Sequence, residues 1–424
     1  MAKIKIPYST TFVDAEIPDE NLIAVLESKA HHFVPDVNEE QLVERALDNP
    51  IDSESLEELV KGKKNMVIIT SDHTRPVPSK VTLPIVLRRI RKVNPNIDIT
   101  ILIATGFHRA TTHQEMLNKF GEEIVNNEKL VNHVSWDKHD MKYVGILPSG
   151  GELWLNKLVM ETELLISEGF IEPHFFAGFS GGRKSVLPGV AGKETVLANH
   201  CSEFIASPHA RTGILNNNPI HKDMIFAAEQ AKLAFILNVI IDADKKIIHA
   251  VAGDPQKAHE KGCEFVTELA VVEKKPADIV VTSNGGYPLD QNIYQTVKGM
   301  TAAEASCAEG GVIIILSACN DGHGGEAFYK YMAEASSPHE VTKKVLQIPR
   351  DKTLPDQWEF QILARILEKH TVFIVTDQCD KNMIESMHIK HSFTFDEALQ
   401  KALEIKGEKA SITVIPDGVS VIVK

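Results

Sequence analysis

Paired cysteines, a surplus of basic charge, a membrane-length apolar run and a standard metal motif are all missing from this 424-residue chain. Its five cysteines, Cys201, Cys263, Cys307, Cys319 and Cys379, are odd in number, scattered, and form no C-x-x-C pair, so neither a disulfide framework nor a zinc knuckle is indicated. Lys and Arg total 45 against 58 Asp and Glu, a formal charge of -13. That balance argues against a nucleic-acid or anionic-membrane binder, which needs excess cations to displace counterions. An anionic ligand has to be met by a local basic cluster instead. The start, MAKIKIPYSTTFVDAEIP, has no apolar h-region, and runs such as GVIIIL fall far short of a membrane span, which together point to a soluble cytoplasmic protein. There is no H-E-x-x-H and no EF-hand loop, so a bound metal would draw most of its ligands from elsewhere. No repeat of fixed period and no low-complexity tract is present.

What is present is enough apolar residue, 43% of the chain, for a sizeable core, at a length that favours two domains. The recurring unit is a short Ile/Val-rich run that ends in small, polar or histidine residues and then enters a helical pattern. It occurs at 66–78, 98–112, 163–174, 278–292, 311–325 and 371–382. Continuous apolar runs alternating with helices are the pattern of buried parallel strands, so the expected class is α/β, with two domains of Rossmann-like parallel or mixed sheets flanked by helices. The first helix shows its inner face in Leu83, Val86, Leu87 and Ile90 at i, i+3, i+4, i+7. In such sheets ligands sit beyond the carboxyl ends of the strands.

The charged, proline-bearing VEKKPAD at 272–278 is the expected boundary, giving an N-terminal cofactor-binding domain over 1–271 and a C-terminal domain over 277–404. Residues 233–255 read as a hairpin turning at DADKK that closes the first domain. The tail, 405–424, reads as two short strands about a Pro-Asp-Gly turn, packed back on the first domain.

One stretch concentrates the chemistry: HFFAGFSGGRKSVLPG, 174–189. Its GFSGGRKS nearly satisfies the P-loop pattern, but Arg183 stands where the second glycine belongs, and that glycine keeps the backbone open for phosphate. Two readings stay open: a mononucleotide phosphate held by the amides around Ser180, Gly181 and Gly182, or an ordinary Gly-rich turn with two solvated cations. His108 and His174 follow the ends of two different strands, so their side chains could converge on one crevice, whereas a lone loop histidine is usually a surface residue. His73 does likewise, beside Asp72 and Arg75, and Arg75 offers the planar fork suited to a carboxylate. Further on, Tyr294, Gln295 and Lys298 lie within one helical turn; the plainer alternative is a solvated helix start capped by Asp290 or Asn292.

Taken together, SDHTRP (71–76), TGFHR (105–109), EPHFFAGFSGGRKSVLPGVAG (172–192), NH (199–200) and YQTVKG (294–299) resemble the nickel-dependent lactate racemase family, along essentially the whole chain. The resemblance implies a nickel-pincer nucleotide, a pyridinium mononucleotide whose two sulfur-bearing arms hold nickel through carbon and two sulfurs. It implies that Lys184 is joined to this cofactor covalently through a thioamide and that His200 supplies the remaining nickel ligand, which would account for the missing metal motif. Ser180, Gly181 and Gly182 would receive the nucleotide phosphate, and Asp72 would serve the same site by orienting Arg75 or a histidine, with a helix N-cap as its alternative.

The implied reaction interconverts D- and L-lactate by moving the C2 hydride to the cofactor through bound pyruvate. His108 and His174 would be the acid/base pair, one on each side of the reacting carbon, since an ordinary imidazole pKa of about 6.5 suits proton exchange near neutrality. Arg75, Tyr294, Gln295 and Lys298 would bind substrate, with Arg75 and Lys298 neutralising its carboxylate and Trp358 shaping the apolar side. Because Arg75 and Lys298 fall on opposite sides of the boundary, the expected active site is an interdomain cleft that opens and closes. Partners would be lactate, pyruvate and the proteins that synthesise the cofactor. Three other readings are kept: racemisation or epimerisation of another 2-hydroxy acid, a nucleotide-dependent phosphotransferase, and a non-catalytic hydroxy-acid binder.

Overall fold

Each of the six apolar runs becomes a strand, in a computed structural model that describes all 424 residues. The chain divides into two units, one of Ala30–Asn199 with Ser207–Glu268, the other of Met1–Lys29, His200–Ala206 and Leu269–Lys424. The passage at Leu269 lies near the boundary read from VEKKPAD. The N-terminal 29 residues and the tail depart from the division by sequence: both belong to the second unit.

In the unit of Ala30–Asn199 and Ser207–Glu268, six strands run in the order Ile247–Gly253, Leu233–Ile241, Leu165–Phe170, Asn65–Ser71, Asp98–Ala104, Lys129–Asn132. All pairings are parallel except that of the edge strand Ile247–Gly253, which forms the expected hairpin with Leu233–Ile241. The middle strands are buried on both faces, which is why they read as unbroken Ile/Val runs. Helix Ser79–Val93 covers the sheet with Leu83, Val86, Leu87 and Ile90 inward, all buried with Ile68, Ile101 and Ile166 in one core. From Asn65–Ser71 the chain adds strands to one side, then returns to the other at Leu165–Phe170. The switch point therefore lies between these neighbours, and in such sheets it is beyond the carboxyl ends of these two strands that ligands bind.

The other unit holds a six-stranded, all-parallel sheet in the order Lys390–Ser392, Thr371–Val375, Cys307–Leu316, Ala277–Ser283, Ile412–Ile415, Leu22–Val25. Its switch point lies between Ala277–Ser283 and Ile412–Ile415. The N-terminal hairpin of Ala2–Tyr8 and Thr11–Ile17 places Ile6, Ala15 and Ile17 in the core with Ile279 and Ile314. The tail does not close on itself about Pro-Asp-Gly: Ile412–Ile415 enters this sheet, and Ile422–Val423 pairs with Val271–Val272. Four consecutive buried residues, Ile412–Ile415, suit a two-sided parallel strand better than a hairpin with one solvated face. No helix is long and apolar enough to cross a membrane.

Candidate active site

At the switch point of the first unit described, the strand Asn65–Ser71 delivers Asp72 directly beyond its carboxyl end. Asp72 is 1% exposed and does not cap a helix, since the next one starts at Ser79. Its Oδ1 accepts the Thr74 amide at 3.1 Å and the Thr74 hydroxyl at 2.7 Å, and its Oδ2 lies 2.6 Å from His108 Nδ1. Burial alone would raise its pKa. The His108 contact, then the charge of Arg75 and the Thr74 bond, more than offset this and hold the carboxyl well below its ordinary range. Asp72 thus takes the histidine-orienting option. With Nδ1–H donating to Asp72, neutral His108 carries a bare Nε2, the tautomer of a general base. Its side chain stays 38% exposed, open to a ligand.

Arg75 joins the same cluster, its Nη1 donating to Thr74 Oγ1 at 3.1 Å. Lys119 Nζ donates to the Arg75 carbonyl at 2.9 Å, and burial pulls that ammonium down to about 8. His73 turns instead to Thr111, with Nδ1 3.3 Å from its hydroxyl. The loop carrying His108 is fastened to the 185–189 segment through the Gly106 amide and the Gly189 carbonyl at 3.1 Å.

His174 arrives from the neighbouring strand Leu165–Phe170, in the short pairing of Pro173–His174 with Gly178–Phe179. Its Nδ1 accepts the Ala177 amide at 3.2 Å and the Phe176 amide at 3.5 Å. An acceptor Nδ1 leaves the proton on Nε2, so neutral His174 presents a donor where neutral His108 presents an acceptor. Both amide bonds are long, and both are given up when Nδ1 is protonated. Phe176 packs edge-on to His174 with centroids 4.6 Å apart, and Lys184 Nζ lies 5.7 Å from the Phe176 ring centroid. His174 and Lys184 therefore share one aromatic neighbour.

The phosphate cradle expected from Ser180, Gly181 and Gly182 is corrected in part. The Ser180 amide donates to the Glu172 carbonyl at 2.9 Å, and the Gly182 amide to Asn238 Oδ1 at 2.7 Å. Only the Gly181 amide has no internal acceptor. The glycines answer to packing: a Cβ on Gly181 would lie 2.7 Å from Asn238 Oδ1, one on Gly182 2.7 Å from the His259 ring, and both residues have positive φ. Nor are the two cations of this loop both solvated, because Arg183 is 1% exposed.

In the second unit, helix Ile293–Ser306 is capped by Asn292, whose side chain accepts the Gln295 amide at 2.9 Å, while Asp290 accepts the Ser9 and Ala318 amides instead. Lys298 Nζ donates to Gln295 Oε1 at 2.5 Å. Tyr294 Oη accepts Trp358 Nε1 at 2.9 Å, and Trp358 meets the His200 ring edge-on at 5.0 Å. His200, 4% exposed, follows directly on helix Lys193–Asn199. No group of three or more His, Cys, Asp or Glu is gathered to hold a metal ion. This donor set fits a metal only if other ligands arrive with a cofactor, and His200 is then one imidazole ligand of a kind nickel accepts.

Sequence reading missed four residues here: Thr74, Asn238, Lys119 and Glu359. Glu359 is fully buried with neither carboxylate oxygen hydrogen-bonded, and burial drives it up to about 8 against the charge of Lys298. Its signal was a glutamate inside the buried stripe WEFQIL; the other three carry none, since their partners are distant in sequence.

Against known proteins, residues 8–213 match the family model for the lactate racemase N-terminal domain, and 272–423 that for the lactate racemase C-terminal domain. The lactate racemases of Thermoanaerobacterium thermosaccharolyticum and Lactiplantibacillus plantarum are 58% and 56% identical to it, over the full length of both chains in each case. The solved structure of the lactate racemase apoprotein from T. thermosaccharolyticum superposes with a TM-score of 0.97 over all of both chains, at 58% identity. A Thermotoga maritima protein at 20% identity, TM-score 0.69, covered in full by 92% of this chain, shares the fold.

Proposed function

Since the chain belongs to the lactate racemase family and is thereby a racemase, an isomerase, we propose that it interconverts D- and L-lactate with His108 and His174 as the acid/base pair. The observation that carries this reading is the His108 Nδ1–Asp72 Oδ2 contact of 2.6 Å, which directs Nδ1–H to Asp72 and so makes Nε2 the acceptor of the neutral ring, beside a switch point that also receives His174. A racemase handles both enantiomers, so it needs one such group for each face of C2. His108 Nε2 takes the hydroxyl proton of one enantiomer. His174, from the adjacent strand, acts as the imidazolium: it gives its Nε2 proton to the oxygen of the pyruvate stage and becomes neutral while His108 is left protonated, and in the reverse direction the two exchange roles.

A nickel-pincer nucleotide, when bound, supplies the hydride acceptor for C2. Lys184 would hold it covalently and His200 would ligate its nickel, with the Gly181 amide, which has no internal acceptor, a donor for its phosphate. Arg75 and Lys298 bind the lactate carboxylate, and Gln295 and Tyr294 set the Lys298 side of the substrate, with Trp358 fixing the Tyr294 hydroxyl. An acidic protein needs such local cations for an anionic substrate. We read the protein as cytoplasmic, with the enzymes that build the cofactor as its partners.

Protein made in a host that synthesises the pincer nucleotide is expected to carry a mononucleotide-sized mass on Lys184 and to racemise either lactate enantiomer; made without it, the chain should do neither. Intact mass, peptide mapping and polarimetry read this out, and nickel-supplied protein with no adduct from either host removes the cofactor assignment. Lys298→Ala should lower kcat/KM for lactate by roughly 10- to 100-fold, the range for losing a hydrogen bond to a charged group, with the Lys184 adduct intact. Unchanged steady-state kinetics would take Lys298 off the substrate.

A further inference from the structure

Arg183 is a fully buried cation with no counter-ion. Its Nη2 donates to the Ala177 carbonyl at 2.8 Å, its Nη1 to the Ser180 and Gly181 carbonyls at 3.3 and 3.2 Å, and its Nε to His221 Nδ1 at 3.0 Å. His259 Nε2 lies 2.8 Å from Nη1 as well. Every one of these partners is neutral, and no carboxylate acts on the guanidinium; burial lowers its pKa only to about 10, so the charge persists at neutral pH. Both histidines are kept neutral, His221 at about 3 and His259 well below its ordinary value, by burial first and then by Arg183 itself. A buried charge left uncancelled is costly, so its retention calls for a compensating anion.

The loop geometry says where that anion goes. In a planar trans peptide the N–H points opposite to the preceding C=O. With the Ser180 carbonyl turned onto Arg183, the Gly181 N–H faces away from the guanidinium, and this amide has no internal acceptor. The Gly181 carbonyl also accepts the Lys184 amide at 3.1 Å, so the same clamp sets the start of the Lys184 backbone. We propose that Arg183 is the positioning residue of an anion site on the 177–184 segment: it holds the carbonyls on the buried side, presents the Gly181 amide and Lys184 on the other, and leaves its own charge for a phosphate monoester to complete. The proposal rests on the reading that a nucleotide-class cofactor is held at Lys184, and it adds the residue that makes the loop electropositive.

The test is a thermal-shift titration of the full-length, cofactor-free chain with inorganic phosphate and with nicotinate mononucleotide, at ionic strength matched with chloride. Wild type is expected to gain roughly 2 °C or more at saturating ligand. Arg183→Met should lower the starting Tm and also lose the ligand-induced gain, whereas Arg183→Lys, keeping the charge, should retain most of it. A structural role alone predicts a lower starting Tm with the ligand gain intact, and that result, or no gain in wild type, overturns the proposal. If Arg183→Met does not fold, Arg183→Lys decides: loss of the gain there also overturns it. The mass on Lys184 after loading reports separately on the cofactor reading, so the two can fail independently.

Discussion

Racemisation is expected to fall by roughly 10²- to 10⁴-fold in both directions when His108 is replaced by alanine, with the Lys184 adduct retained, because that is the usual scale for removing a general acid/base. Asp72→Asn should approach the same loss although it keeps the ring. The Thr74 amide and hydroxyl both donate to Asp72 Oδ1, so an asparagine must set its carbonyl oxygen there. Its NH2 then replaces Oδ2 and faces His108 Nδ1, which can only accept it by giving up its proton. The proton moves to Nε2, and the base is lost without a change of shape. His174→Ala should match His108→Ala in magnitude. Near-normal turnover by either histidine variant, measured by polarimetry from both enantiomers, would remove the pair, and an unimpaired Asp72→Asn would remove the tautomer argument.

The second large effect is on stability in acid. His133 and His221 are buried neutral, burial pushing them down to about 4 and about 3, and His259 lies well below its ordinary value. An unfolded histidine binds a proton below about pH 6.5, so the unfolded state gains protons first and stability falls as pH drops from there towards the folded values. At pH 5 this costs about 2 kcal/mol for each of His133 and His221, with His259 adding in the same direction. Glu359 opposes it. Its folded pKa of about 8 lies above the unfolded value, so its stabilising share is full in acid and lost as pH rises towards 8. Between pH 7 and pH 5 it returns roughly 2 to 3 kcal/mol, less than the histidines together lose. Calorimetry should therefore show a net drop in Tm from pH 7 to pH 5. Glu359→Gln should raise Tm at pH 7 and make the drop steeper; a wild-type Tm that holds level or rises towards pH 5 would contradict the neutral buried histidines.

The strand runs were legible because a strand buried on both faces has to be continuously apolar, and Met66–Ile69 or Val312–Leu316 can be read without knowing their neighbours. The same holds for the inner face of Ser79–Val93, which a helical period records locally. Asp72, His108 and His174 were legible as residues at strand ends. The reading of the 177–184 loop as a cradle of three free amides was not, because nothing near Ser180 or Gly182 in sequence announces Glu172's carbonyl or Asn238 as their acceptors.

By itself, then, the sequence determined the α/β class, the positions of the strands and helices, and the family, since these rest on periodicity and on contiguous motifs. Only the tertiary structure decided that Leu22–Val25 and Ile412–Ile415 pair in one sheet, that Asp72 serves His108 rather than a helix end, and that Arg183 is buried without a counter-ion. Each of these depends on a hydrogen bond or a loss of solvent contributed by residues far along the chain, and such partners exist only once the chain has folded.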